Sequence, residues 1–189
     1  MAKRKSKRVN SHRIPIGSII SNKQAIIRAA SRDNLYFGWL FVLHALLDQS
    51  IKTPDEVKRI WDSIGKGSIR VKLKNSEVRR AEELIGLKEP YPYLEKYSPR
   101  TEGEAIVFAR KAAKNSIHLA LCSIGLSLND TGLFGREELL KVFSNVSITI
   151  AEIESGCGSY EQLLMEIERY HLTVQHSDRG IELRVMEEP

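Results

Sequence analysis

Apolar positions recur at steps of three and four over most of the chain, which is the spacing of helices with one buried face. Ile14 to Gly17 reads as an extended entry, and a helical pattern starts at Ser21. Ala25, Ile26, Ala29 and Ala30 share one face, and Leu35, Trp39, Val42, Leu43, Leu46 and Leu47 continue it. Ser31-Arg32-Asp33-Asn34 is expected to split this stretch in two, since Ser, Asp and Asn favour helix ends over interiors. Thr53-Pro54-Asp55-Glu56 opens a second helix, with Thr53 as N-cap and Glu56 reaching back, and Gly65 closes it. Ile69 to Leu73 alternates apolar and basic residues, as a short strand or extended loop would. Asn75 is expected to cap a third helix that runs through Leu84 and stops at Gly86.

Pro90, Pro92 and Pro99, with Tyr91, Tyr93 and Tyr97, make residues 88–100 a connector. A second capping box, Thr101 to Glu104, then starts a long helix through Leu128, which Asn129-Asp130-Thr131-Gly132 ends. Glu137 to Ile153 fits one helix or two. Ser159 and Gln162 open a further helix to Tyr170. Thr173–Gln175 and Ile181–Val185, around Ser177-Asp178-Arg179-Gly180, read as a β-hairpin.

A shift of 82 residues lays Ile19–Ile64 on Thr101–Val146 without a gap. Trp39 then meets Leu121, Val42 meets Ile124, Leu46 meets Leu128, Asp48 meets Asp130, Val57 meets Leu139, Ile60 meets Val142, and Ile64 meets Val146. Few pairs are identical, so the match is one of pattern. The expected fold is mainly α, with two similar helical halves (residues 14–87 and 101–189) in one compact unit, a C-terminal hairpin and a basic N-terminal arm (residues 1–13).

Charge changes this picture at the ends. The 189 residues carry a net charge of +5, yet residues 1–13 hold Lys3, Arg4, Lys5, Lys7, Arg8 and Arg13 and no acid, leaving −1 for all the rest. Residues 150–189 carry nine acids against three arginines. The arm has few apolar residues and is expected to be disordered when unbound. It is also the best candidate site, because clustered Lys and Arg neutralise phosphates and release counterions. Arg28, Arg32, Arg70, Lys72, Lys74, Arg79 and Arg80 extend the path. No apolar stretch follows the charges as in a signal peptide. The most apolar run, Leu35 to Leu47, falls short of the ~20 residues of a membrane span. A cytoplasmic protein with free thiols at Cys122 and Cys157 is expected.

Leu128-Asn129-Asp130-Thr131-Gly132-Leu133-Phe134-Gly135-Arg136-Glu137-Glu138-Leu139-Leu140 resembles a run in small helical proteins of Gram-positive phages and prophages. Leu43-His44-Ala45-Leu46-Leu47-Asp48 resembles its start more loosely. Glu137 and Glu138 stand where those proteins carry lysines. The resemblance implies a mobile-element setting and brings no activity with it.

Candidate chemistry elsewhere is sparse. His44 and Asp48 lie one helical turn apart, as an acid–base pair would, but no third group is placed beside them. His171 and His176 lack the further ligands a metal needs. Ser63 to Ser68 glances at a phosphate loop, but a helix precedes its glycines. The expectation is a non-enzymatic accessory or regulatory protein without cofactor, metal or catalytic residues, binding nucleic acid through its arm. The alternative is a protein-interaction module, an inhibitor or adaptor of a host complex, using the tyrosines of the connector and the acidic C-terminal face.

Overall fold

The computed structural model describes residues 16–48, 52–64, 73–87, 99–177 and 180–186. The arm, the expected strand up to Lys72, Gly65, most of the Pro/Tyr connector and the tip of the hairpin lie outside them. Among the described residues the elements are α1 (Ile16–Asp48), α2 (Pro54–Ile64), α3 (Asn75–Ile85), α4 (Glu102–Asp130), α5 (Arg136–Ser155), α6 (Tyr160–Glu168), β1 (Leu172–Ser177) and β2 (Gly180–Val185). The chain is mainly helical, and the C-terminal strands pair antiparallel from Leu172 opposite Val185 to Ser177 opposite Gly180.

Local chemistry explains most boundaries. The Thr53 hydroxyl accepts the Glu56 N–H at 3.3 Å, and the Glu56 carboxylate accepts the Thr53 N–H at 2.8 Å. Ser159 and Gln162 repeat the exchange at 3.2 and 2.9 Å. Each exchange satisfies two orphan donors of a first turn. Gly86 and Gly156 take left-handed φ values of 72° and 79° where α3 and α5 end.

Several expectations are corrected. α1 starts at Ile16 and runs unbroken to Asp48, through Ser31–Asn34. The weak helix preference of those residues costs tenths of a kcal/mol each. Packing of α1 against α4 on both sides of the stretch outweighs it. Asn75 is the first residue of α3 and not its cap; the cap is Lys74, whose N–H donates to Glu77 at 2.8 Å. Thr101 Oγ1 accepts the Glu104 N–H at 3.2 Å as expected, but the Glu104 carboxylate takes the N–H of Arg100 instead of that of Thr101. α5 is one helix. α6 stops at Glu168, and His171, at φ 57°, turns the chain into β1.

The offset of 82 residues recurs in the helix boundaries and in the burial pattern. α1 ends at Asp48 and α4 at its counterpart Asp130; α2 begins at Pro54 and α5 at the counterpart Arg136. The buried residues Ala81 and Ile85 of α3 correspond to the buried Leu163 and Ile167 of α6. α5 departs by running nine residues past the position where α2 stops.

α1 and α4 run parallel. Lys23 sits over the Phe108 ring at 5.9 Å, and further along Gly38 lies against Ala120. The later helices then cross over. α3, from the first half, packs on α4, whereas α5 and α6, from the second, pack on α1. Leu40, Phe41, Val42 and Leu43 are consecutive and all buried, as are Leu121 to Leu126. A helix buried on every side is apolar on every side. Among the described residues no helix is long and apolar enough to cross a membrane.

Candidate functional site

The polar groups that the fold brings together lie where the long helices meet their exchanged partners. α6 runs alongside α1 in the same direction. The Tyr160 ring lies 4.2 Å from Phe37 and 6.0 Å from Phe41, and one helical stretch later Glu166 reaches His44. The Glu166 carboxylate stands 2.6 Å from His44 Nε2, with the imidazole side chain 14% exposed and the carboxylate 47%. A carboxylate only accepts, so Nε2 carries the proton. His44 Nδ1 is buried and has no hydrogen-bond partner among the described residues.

His44 and Glu166 separate two open clefts. One, of about 210 Å³, adds Asp48, Arg169 and Tyr170; the other, of about 260 Å³, adds Thr149, Cys157 and Gln162. The sequence pairs His44 with Asp48. The structure instead gives His44 to Glu166, 122 residues away, and leaves Asp48 exposed at the end of α1. A general base needs a nitrogen within reach of the proton it takes. Here Nε2 is engaged by Glu166 and Nδ1 is enclosed, and the bond ties α1 to α6.

The other exchanged interface carries a bond of the same kind. His118 of α4 meets Glu82 of α3 at 2.9 Å, with side chains 8% and 23% exposed. One turn on from His118, burial pushes the Cys122 thiol up to about 12, and the Glu82 charge adds to this. Neither His118 nor Glu82 stands out in the sequence. Their link needs the packing of α3 on α4, which no local spacing announces.

Among the described residues no group of His, Cys, Asp and Glu is arranged to hold a metal ion. His171 is exposed and holds a turn: its N–H donates to the Glu168 carbonyl at 2.9 Å, and its carbonyl accepts from Met186 at 2.8 Å.

The arm cations Lys3, Arg4, Lys5, Lys7, Arg8 and Arg13 lie outside the described residues, as do Arg70 and Lys72. Arg28 and Arg32 lie on α1, and Lys74, Arg79 and Arg80 are exposed at α3. Arg100, Arg110, Lys111 and Lys114, which the sequence does not single out, are exposed at and along the first half of α4. The parallel course of α1 and α4 puts Arg100, Arg110 and Lys111 toward the end of the body at which α1 begins. No protein-family model, curated protein or solved structure matches this chain.

Proposed function

We propose that the protein binds nucleic acid through the basic arm, as a non-enzymatic accessory or regulatory protein of a phage or mobile element. The charge division carries this reading. Six cations and no acid occupy residues 1–13, while the remaining 176 residues together carry −1. Such a segment attracts a polyanion with little dependence on sequence. The likeness of Leu128–Leu140 to phage proteins supports the setting. The basic residues around the start of α4 extend the charge from the arm's point of attachment onto the body.

The test is a salt titration of binding to a labelled 30-mer duplex. It compares the full-length chain with a variant in which Lys3, Arg4, Lys5, Lys7, Arg8 and Arg13 are glutamine. The native chain should bind, and its log affinity should fall with log salt. Six phosphate contacts give a slope near −5, at roughly 0.9 per contact. The variant should lose most of that slope. Equal binding by both proteins, or by neither, refutes the reading.

A further inference from the structure

The two exchanged third helices are held unequally. α3 packs against two helices, α4 and α5, whereas α6 rests on α1. A Cβ added at Gly125 of α4 would stand 2.5 Å from Ile85 Cγ2, and one at Gly86 would stand 2.9 Å from Leu140 Cδ2 of α5. The end of α3 is therefore in close contact with both neighbours. At the 82-residue offset the counterpart of Gly125 is Leu43, so α1 presents a full side chain where α4 presents none.

The polar ties differ in the same direction. Glu82 is mostly enclosed on His118. Glu166 is half exposed, so water competes with His44 for its carboxylate. The clefts of about 210 and 260 Å³ open on either side of the His44–Glu166 bond. Among the described residues nothing holds His44 by its other ring nitrogen.

α6 and the two strands form one block. The His171 N–H donates to the carbonyl of Glu168 at the end of α6, and the His171 carbonyl accepts from Met186, just past β2. Leu163, Ile167, Leu172 and Val174 are buried in it, and the Tyr36 hydroxyl of α1 donates to the Val174 carbonyl at 3.4 Å. The block joins α5 through Gly156-Cys157-Gly158. Gly156 has a left-handed φ of 79°, and a Cβ there would meet nothing within 4 Å. Two glycines around an exposed residue, with open space at the first, let the backbone rotate at little cost. Cys157 and Gly158 also line the larger cleft, so the turn lies beside the opening.

We infer that α6, β1 and β2 form a strap that swings off α1 as one unit about Gly156–Gly158, with the His44–Glu166 bond as its latch, while α3 stays on α4. Units held by fewer contacts open below the free energy of global unfolding. Breaking the latch joins the two clefts into one groove along α1 and uncovers Phe37, Phe41 and His44. The strap is independent of what the arm binds.

The experiment is amide hydrogen exchange of the full-length chain, followed by NMR at one pH and corrected for intrinsic rates. The best-protected amides of α6, β1 and β2 should share one protection level, at least about tenfold below that of α3. Glu166→Ala should lower protection in the strap about fivefold and leave α3 unchanged. Glu82→Ala should leave the strap unchanged. Circular dichroism checks that each variant keeps the helical signal, and the native chain alone decides the first comparison. Protection in α6 equal to that in α3 overturns the strap. Protection in β1 that outlasts α6 also overturns it, because the block then does not move as one. A Glu166→Ala chain that leaves α6 unmoved, or that loosens α3 as much as α6, overturns the latch and the proposal with it.

Discussion

Gly38 and Ala120 face each other where α1 and α4 meet, and at the 82-residue offset they are also each other's counterparts. A Cβ added at Gly38 would stand 3.0 Å from the Ala120 Cβ and 3.4 Å from Ile124 Cδ1. The close approach needs one glycine, and either member of the pair is in position to supply it. Gly38→Ala gains about 1 kcal/mol of helix propensity but crowds Ala120, whereas Ala120→Gly loses about the same propensity. The double exchange keeps one methyl at the contact. A urea-denaturation cycle should therefore show a favourable coupling of about 0.5–1 kcal/mol between the two changes. Additivity within about 0.3 kcal/mol would mean that the helices do not touch there.

The two histidine clamps should differ in strength. His118 is nearly enclosed and Glu82 mostly so, while Glu166 is half in water. Glu82→Ala removes a hydrogen bond from a nearly enclosed site and should cost about 2 kcal/mol. Glu166→Ala lets water replace the carboxylate and should cost about 1 kcal/mol. Urea midpoints compared at one pH check the order, and a larger loss at Glu166 contradicts the packing described.

The two thiols should react at very different rates. Cys157 is exposed beyond the end of α5, and Cys122 is buried on α4. The thiolate is the reactive form. A chromogenic disulfide reagent at pH 8 should label one thiol per chain promptly and the second only when denaturant is added. Cys157→Ser should abolish the fast phase, and rapid labelling of both thiols in the native protein would contradict the burial of Cys122.

Alkaline pH should weaken the fold. Burial raises Cys122 from 9.0 to about 12, and it also raises Tyr36 and Tyr160 above 10.0, helped by Glu168 and Glu154 respectively. Each of these groups is neutral when protonated, so the stability it contributes is complete below its unfolded value and is lost as pH rises toward its folded one. Cys122→Ala should cost about 1 kcal/mol at pH 7. The native protein loses roughly 1.4 kcal/mol per pH unit above 9 through this thiol. The two proteins should therefore be equally stable near pH 10, with the alanine variant ahead by pH 11. A gap that stays constant from pH 7 to 11 rules out this role for Cys122. On the acid side, Glu56 and Glu161 are held below 4.5, chiefly by backbone hydrogen bonds. Their contribution is present above that value and falls away as pH drops.

What depends on near neighbours was legible in the residues. The boxes at Thr53 and Ser159, the stop at Gly86, and the hairpin all follow from groups within a few positions of each other. The offset of 82 was legible as a pattern, because both halves repeat a break of the same length between the same two kinds of helix. The continuity of α1 was not, since propensity speaks for Ser31–Asn34 and tertiary packing overrides it. The histidine pairings were not legible either. Asp48 is the obvious neighbour of His44 along the helix, but the direction of α6 decides which carboxylate arrives.

The exchange of third helices has a topological consequence. Cutting the chain between its halves would separate each long helix from the layer that shields it, so neither piece would be a self-sufficient folding unit. Two identical copies of one half could, however, trade their third helices and recreate the outline of the whole. The tether makes intramolecular what would otherwise be a concentration-dependent swap between molecules, and it frees the two copies of the pattern to carry different surfaces on one shared scaffold.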